Sequence, residues 1–268
     1  MATKPIPRSV TALLLLAVAL IVSGCATPKH PARVPFQIGT TTVHAHVFHR
    51  NQPGPTYLNV HDDENTSVLA GKKILAQTGG RLIELVHSGK RHVSFELAGQ
   101  NYRFDPNRIF SPTGIRTTLT RTRNHSAAAQ QAIETFAASL IETFGLDHEP
   151  VIIALHNTGG GGLSIHSYLA GGDKPTTARA THVSTNRFPG DFFYVTDRRF
   201  FDYLQARDYN VTLQDDANVP DDGSASVYFA RKGIPYLNVE ADAKHLNEQT
   251  EMVRVAREMV EHFGLVRP

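Results

Sequence analysis

Two histidines and a glutamate stand directly after short apolar runs in this chain, with a second glutamate three residues beyond the first histidine, residue types that suit metal-assisted hydrolysis. Tyr57-Leu58-Asn59-Val60 runs into His61-Asp62-Asp63-Glu64, Val151-Ile152-Ile153-Ala154-Leu155 into His156-Asn157-Thr158, and Tyr236-Leu237-Asn238-Val239 into Glu240. Catalytic zinc is held by three protein groups, with His and Glu among the accepted ligands, and keeps a further position for water or substrate. His61, Glu64 and His156 supply such a set. Glu240 is then left to take a proton from an acidified water, the work of a general base. Singly, each residue has a plainer reading. An H-x-x-E spacing arises by chance, a histidine after a strand is commonly a satisfied core group, and a glutamate there can cap a helix. What joins them is their shared position, because ligands of open α/β sheets bind outside the carboxyl ends of the strands.

The elements that must position these residues alternate in the manner of βαβ units. Strands are expected at 56–60, 81–86, 92–97, 102–104, 151–155, 192–195 and 235–239, and helices at 65–77, 126–144, 198–207 and 246–263. Gly79-Gly80 and Gly145 stop two of the helices, and Ala98-Gly99-Gln100 marks a hairpin. Residues 157–189, rich in Gly, Thr and Pro, are too long for an ordinary connection and read as a functional loop. Gln214 to Ser226 is polar and acidic and reads as a mobile loop beside the site. His44, His46 and His49 lie on an early strand, and their spacing fits a solvated face better than a second metal site. The pattern predicts one α/β domain over 39–268.

The N-terminus reads as an export signal. Lys4 and Arg8 precede an apolar run from Val10 to Val22, shorter than the roughly 20 residues of a membrane span. The run ends in Val22-Ser23-Gly24-Cys25, which resembles the lipobox of bacterial lipoproteins, with cleavage before Cys25 and acylation of its thiol. Residues 1–24 are then signal peptide and 25–38 a proline-bearing tether. Ala26 after the cysteine goes with transfer to the outer membrane, facing the periplasm. Cys25 is the sole cysteine, so the mature protein must be stabilised by its core without disulfides. A formal net charge of +2 and the absence of long basic runs give no indication of nucleic acid as a partner.

The order H-x-x-E, D-x-N-R, a histidine at a strand end and a late glutamate resembles the zinc carboxypeptidases. Asp105-Pro106-Asn107-Arg108-Ile109-Phe110 and Leu155-His156-Asn157-Thr158 are more specifically similar to the aspartoacylase and succinylglutamate desuccinylase branch. The resemblance runs from about Tyr57 to Glu240. It implies a mixed, largely parallel twisted sheet with helices on both faces and one Zn2+ per chain. It also implies His61, Glu64 and His156 as ligands, Glu240 as general base, and Asn107 and Arg108 as the grip on a substrate carboxylate. Asp105 would orient His61, and a guanidinium such as Arg108 suits a bidentate carboxylate clamp. The zinc carboxypeptidases have a further arginine near the scissile carbonyl, for which Arg91 and Arg103 both stand open, and a tyrosine over the substrate, for which Tyr209 and Tyr228 do. Gly159 to Gly162 either lets substrate approach the backbone or is a flexible loop.

The expected activity is hydrolysis of an amide in a carboxylate-bearing peptide, with export favouring cell-wall peptides. An N-acyl amino acid deacylase is the alternative within enzymes. A ligand-binding lipoprotein without catalysis is the alternative outside them, disfavoured by Glu240, for which such a module has no need.

Overall fold

The computed structural model describes residues 31–50, 52–159 and 162–266. The chain begins with two antiparallel strands, β1 (Ala32–Ile38) and β2 (Thr41–Arg50), then β3 (Thr56–Asn59), helix α1 (Asn65–Thr78) and β4 (Gly80–Val86). A separate hairpin of β5 (Val93–Leu97) and β6 (Gln100–Phe104) leads to α2 (Pro112–Arg121) and α3 (Ala127–Phe144). The second half runs β7 (Ile152–Thr158), β8 (Ala178–His182), β9 (Phe192–Val195), α4 (Arg198–Gln205) and β10 (Val211–Gln214). It closes with α5 (Ala225–Arg231), β11 (Tyr236–Asp242) and α6 (Leu246–His262).

Nine strands form one mixed sheet in the order β1-β2-β4-β3-β7-β11-β9-β10-β8. Its centre, β4-β3-β7-β11, is parallel throughout. Every residue of β3 and β7 is buried, as the uninterrupted apolar runs require of strands covered on both faces. One covering layer packs Ile115 and Leu119 of α2, Ile133 and Phe136 of α3 and Phe229 of α5. The other packs Ile74 of α1, Phe200 of α4 and Met252 and Met259 of α6. The α/β architecture with helices on both faces follows.

Caps set the helix ends. Ser126 opens α3 by accepting from the Ala129 N–H, and Gly145 closes it in the left-handed region at φ 57°. Gly79 and Gly80, at φ 83° and 96°, turn the chain from α1 straight into β4, a conformation that costs side-chain-bearing residues dearly.

Four expectations need correction. β1 lies inside the stretch expected as tether, so the folded part begins before residue 39. Pro35 sits in this edge strand, where a missing N–H is tolerated. The presumed loop 157–189 carries β8 and two short 3-10 turns, at Ile165–Tyr168 and Pro175–Thr177. The acidic loop 214–226 is tied down: Asp221 accepts from the Ser111 hydroxyl and from Arg231, and the Phe110 N–H donates to the Gly223 carbonyl. Finally, His156 and Glu240 lie within β7 and β11 and not beyond their ends. The signal peptide, Cys25 and the first residues of the tether fall outside the described residues. Among the described residues no helix is long and apolar enough to cross a membrane.

Candidate metal centre

The H-x-x-E segment is a reverse turn in which the Glu64 N–H donates to the His61 carbonyl at 3.2 Å. Glu64 occupies the N-cap position of α1, yet its side chain makes no capping bond. The carboxylate turns instead to two histidines, with Oε1 at 2.8 Å from His61 Nδ1 and Oε2 at 2.8 Å from His156 Nδ1. The two Nδ1 atoms are 3.1 Å apart. Parallel pairing of β3 with β7 brings the His61 turn beside His156. The pairing of β7 with β11 sets Glu240 directly opposite His156. All four side chains are buried.

Asp105 fixes which nitrogen of His61 faces the centre. Its Oδ1 lies 2.9 Å from His61 Nε2 and also accepts the Asn107 N–H at 2.8 Å, capping the short turn Pro106–Arg108. A carboxylate only accepts, so Nε2 carries a proton, and Nδ1 is the nitrogen left facing Glu64 and His156. Lone pairs on neutral imidazole and on a carboxylate cannot sit at 2.8 Å without a positive charge between them. Burial opposes a charged imidazolium at His61, but Glu64 and Asp105 outweigh it and raise its pKa to about 9. Burial likewise works against the Glu64 carboxylate, yet His156 and His61 hold it well below the usual range. The pocket calls for a cation, and its two imidazoles and one carboxylate form a buried set able to hold a metal ion. For Glu240 burial prevails, and its pKa is raised. Its Oε2 accepts from the Asn238 amide at 3.0 Å.

A cavity of about 320 Å³ opens onto this set, lined by Glu64, His156 and Glu240 and by the expected Asn107 and Arg108. Asn107 Oδ1 accepts the Ala225 N–H at 3.1 Å, docking the start of α5 and leaving its amide hydrogens to the cavity. Arg108 donates to the Asn107 carbonyl at 2.7 Å. Its other terminal nitrogen is 3.6 Å from Asp222 Oδ2, too far to satisfy it.

The open alternatives differ in where they lie. Arg91 lines the cavity, with Nη1 2.8 Å from Glu64 Oε1, whereas Arg103 is exposed on β6 and does not. Neither candidate tyrosine reaches the cavity: the Tyr228 hydroxyl donates to Asp147, and Tyr209 lies under the Arg187 guanidinium. Tyr168, Tyr194 and Tyr236 line it instead, as do Lys174, Asp222, Gly159 and Gly162. Tyr236 and Asn238 were findable, since they share a strand face with Glu240 at steps of two. Tyr168 and Lys174 come from a stretch with no periodic signal. Asn157, beside His156, serves the scaffold: it accepts the Ser67 N–H and donates to Gln249, whose amide holds the His156 carbonyl.

No family model matches the chain, and no curated protein matches it. Among solved structures it is similar to a gene product of Agrobacterium tumefaciens, at 12% identity and TM-score 0.44 over 81% of this chain and 93% of that one. A succinylglutamate desuccinylase/aspartoacylase from Rhodobacter sphaeroides matches at 15% identity and TM-score 0.41 over 89% of this chain and 66% of that one. An aspartoacylase family protein from Mesorhizobium loti matches at 16% identity and TM-score 0.41 over 88% and 67%. Identities of this order leave function to be read from the site itself.

Proposed function

We propose that this protein is a zinc-dependent hydrolase that cleaves an amide bond in a carboxylate-bearing peptide. The observation that carries the reading is the convergence of His61, Glu64 and His156 on one point, with Glu240 opposite His156 and Arg108 in the same cavity. Zinc held by the three ligands would supply a Lewis acid for the scissile carbonyl and acidify a water molecule. Glu240 accepts the proton of that water and delivers it to the leaving nitrogen. Burial raises its pKa, which favours holding the proton between the two transfers. Arg108 and the Asn107 amide hold the substrate carboxylate. Arg91, beside Glu64, faces the charge that develops on the carbonyl oxygen.

Export and lipidation at Cys25 would place the enzyme in the bacterial envelope, on the outer membrane facing the periplasm, where the amide bonds of wall peptides lie. A second reading, an N-acyl amino acid deacylase, is favoured by the cavity's volume of about 320 Å³, near the lower end of ligand pockets. Incubating zinc-loaded protein with purified wall peptides and with a panel of N-acyl amino acids, read by mass spectrometry, separates the two. Chelator-sensitive release of an amine from the peptides supports the first reading, and release from the acyl amino acids alone supports the second. Binding without turnover of either set would leave a non-catalytic ligand-binding protein.

A further inference from the structure

Between the proposed ligands of the His61–Glu64 turn, Asp62 sends its carboxylate sideways to the segment after β4. One oxygen, Oδ2, accepts three successive backbone N–H groups, from His87 at 2.7 Å, Ser88 at 2.7 Å and Gly89 at 2.6 Å. Gly89 takes φ 68°, which lets its amide join the other two around one oxygen; such a nest of amides is an anion cradle. Two residues later the same segment carries Arg91, whose Nη1 is 2.8 Å from Glu64 Oε1 and whose Nη2 is 3.6 Å from Asp105 Oδ2. Ser88, Gly89 and Lys90 are exposed, and the Arg91 side chain is itself 43% exposed. The segment therefore has little packing to fix it. Besides the Arg91 contact with Glu64, the tie to Asp62 is what fastens it to the turn that bears His61 and Glu64.

We propose that Asp62 is a positioning residue that sets the Arg91 guanidinium over the cavity by anchoring residues 87–91. The inference rests on the hydrolase reading, since Arg91 matters to turnover only if a carbonyl reacts beside Glu64. Asp62 does not touch the metal set, and the neighbouring Asp63 is exposed and supplies a control. Small displacements of a group that orients substrate cost rate steeply, on the order of 10²-fold for about 1 Å.

Hydrogen exchange and steady-state kinetics on the zinc-loaded full chain test this in wild type, Asp62→Ala, Asp62→Asn, Arg91→Ala, the Asp62→Ala/Arg91→Ala double variant and Asp63→Ala. In Asp62→Ala the amides of His87, Ser88 and Gly89 should exchange at least about tenfold faster. Its kcat/KM should fall about as far as in Arg91→Ala, and the double variant should fall no further than either. Asp62→Asn keeps an acceptor oxygen and should recover most of the rate, while Asp63→Ala should match wild type. Unchanged exchange at 87–89, losses that multiply in the double variant, or an Asp62→Asn as impaired as alanine would each overturn the proposal. Where alanine does not fold, Asp62→Ser, too short to span the three amides, takes its place. Failure of the hydrolase reading would show separately, as wild type with neither zinc nor turnover, and exchange at 87–89 would still judge the anchor.

Discussion

Glu240 and Arg108 share a cavity, and on the proposed reading they act on different parts of a substrate, so their losses should differ in kind. Glu240→Gln keeps shape and cannot take a proton; kcat should fall by about 10² or more while zinc stays bound. Arg108→Ala should slow substrates that carry the recognised carboxylate far more than their amidated counterparts, measured as kcat/KM on a matched pair. Equal slowing of both would make the arginine a structural group. Asp105→Ala leaves the proposed metal ligands in place but removes the acceptor that fixes the His61 ring. Zinc affinity, measured by competition with a chelator, should drop by roughly 10–100-fold. At this scale the candidate site was legible because His61, His156 and Glu240 each stand beside an apolar run that could only be a buried strand. Asp62, Lys174 and Asp222 were not, since the amides of 87–89 that Asp62 accepts and the cavity that Lys174 and Asp222 line are created only by the folded chain.

Elements recovered from the sequence are those with long apolar stretches or clear caps, such as β7, α3 and α6. Most of those missed are short or rich in threonine, and β1 was hidden by its proline and polar residues. α2 buries only Gly114, Ile115, Thr118 and Leu119 of its ten residues, so its periodicity is faint, although Ser111 and Pro112 do mark its start. β8 and β10 pair with each other at the far edge of the sheet, and their pairing is set by tertiary context. One joint between elements bears on the cavity. A Cβ at Gly114 would lie 2.3 Å from the Gly223 Cα, so α2 can approach the 222–225 turn only through paired glycines. Gly114→Ala should therefore cost about 1–3 kcal/mol of stability, read by denaturant unfolding. Because that turn carries Asp222 and docks on Asn107, KM for carboxylate substrates should rise as well.

The whole molecule is a sheet whose parallel centre gathers the chemistry at one side, and a chain end that the N-terminal signal would fasten to a membrane. If Cys25 is acylated, Cys25→Ser should remove the lipid mass from the N-terminus and release the protein from the membrane fraction or leave it uncleaved. A cleaved, unlipidated wild-type N-terminus with unchanged membrane retention would contradict the lipobox reading. Everything proposed for the cavity depends on the metal. Elemental analysis of protein purified without added metal, in wild type and in His61→Ala and His156→Ala with folding checked by circular dichroism, addresses it directly. The account predicts one zinc per chain in wild type and clearly less in both folded variants; a metal-free wild type, or full occupancy in both variants, would contradict it.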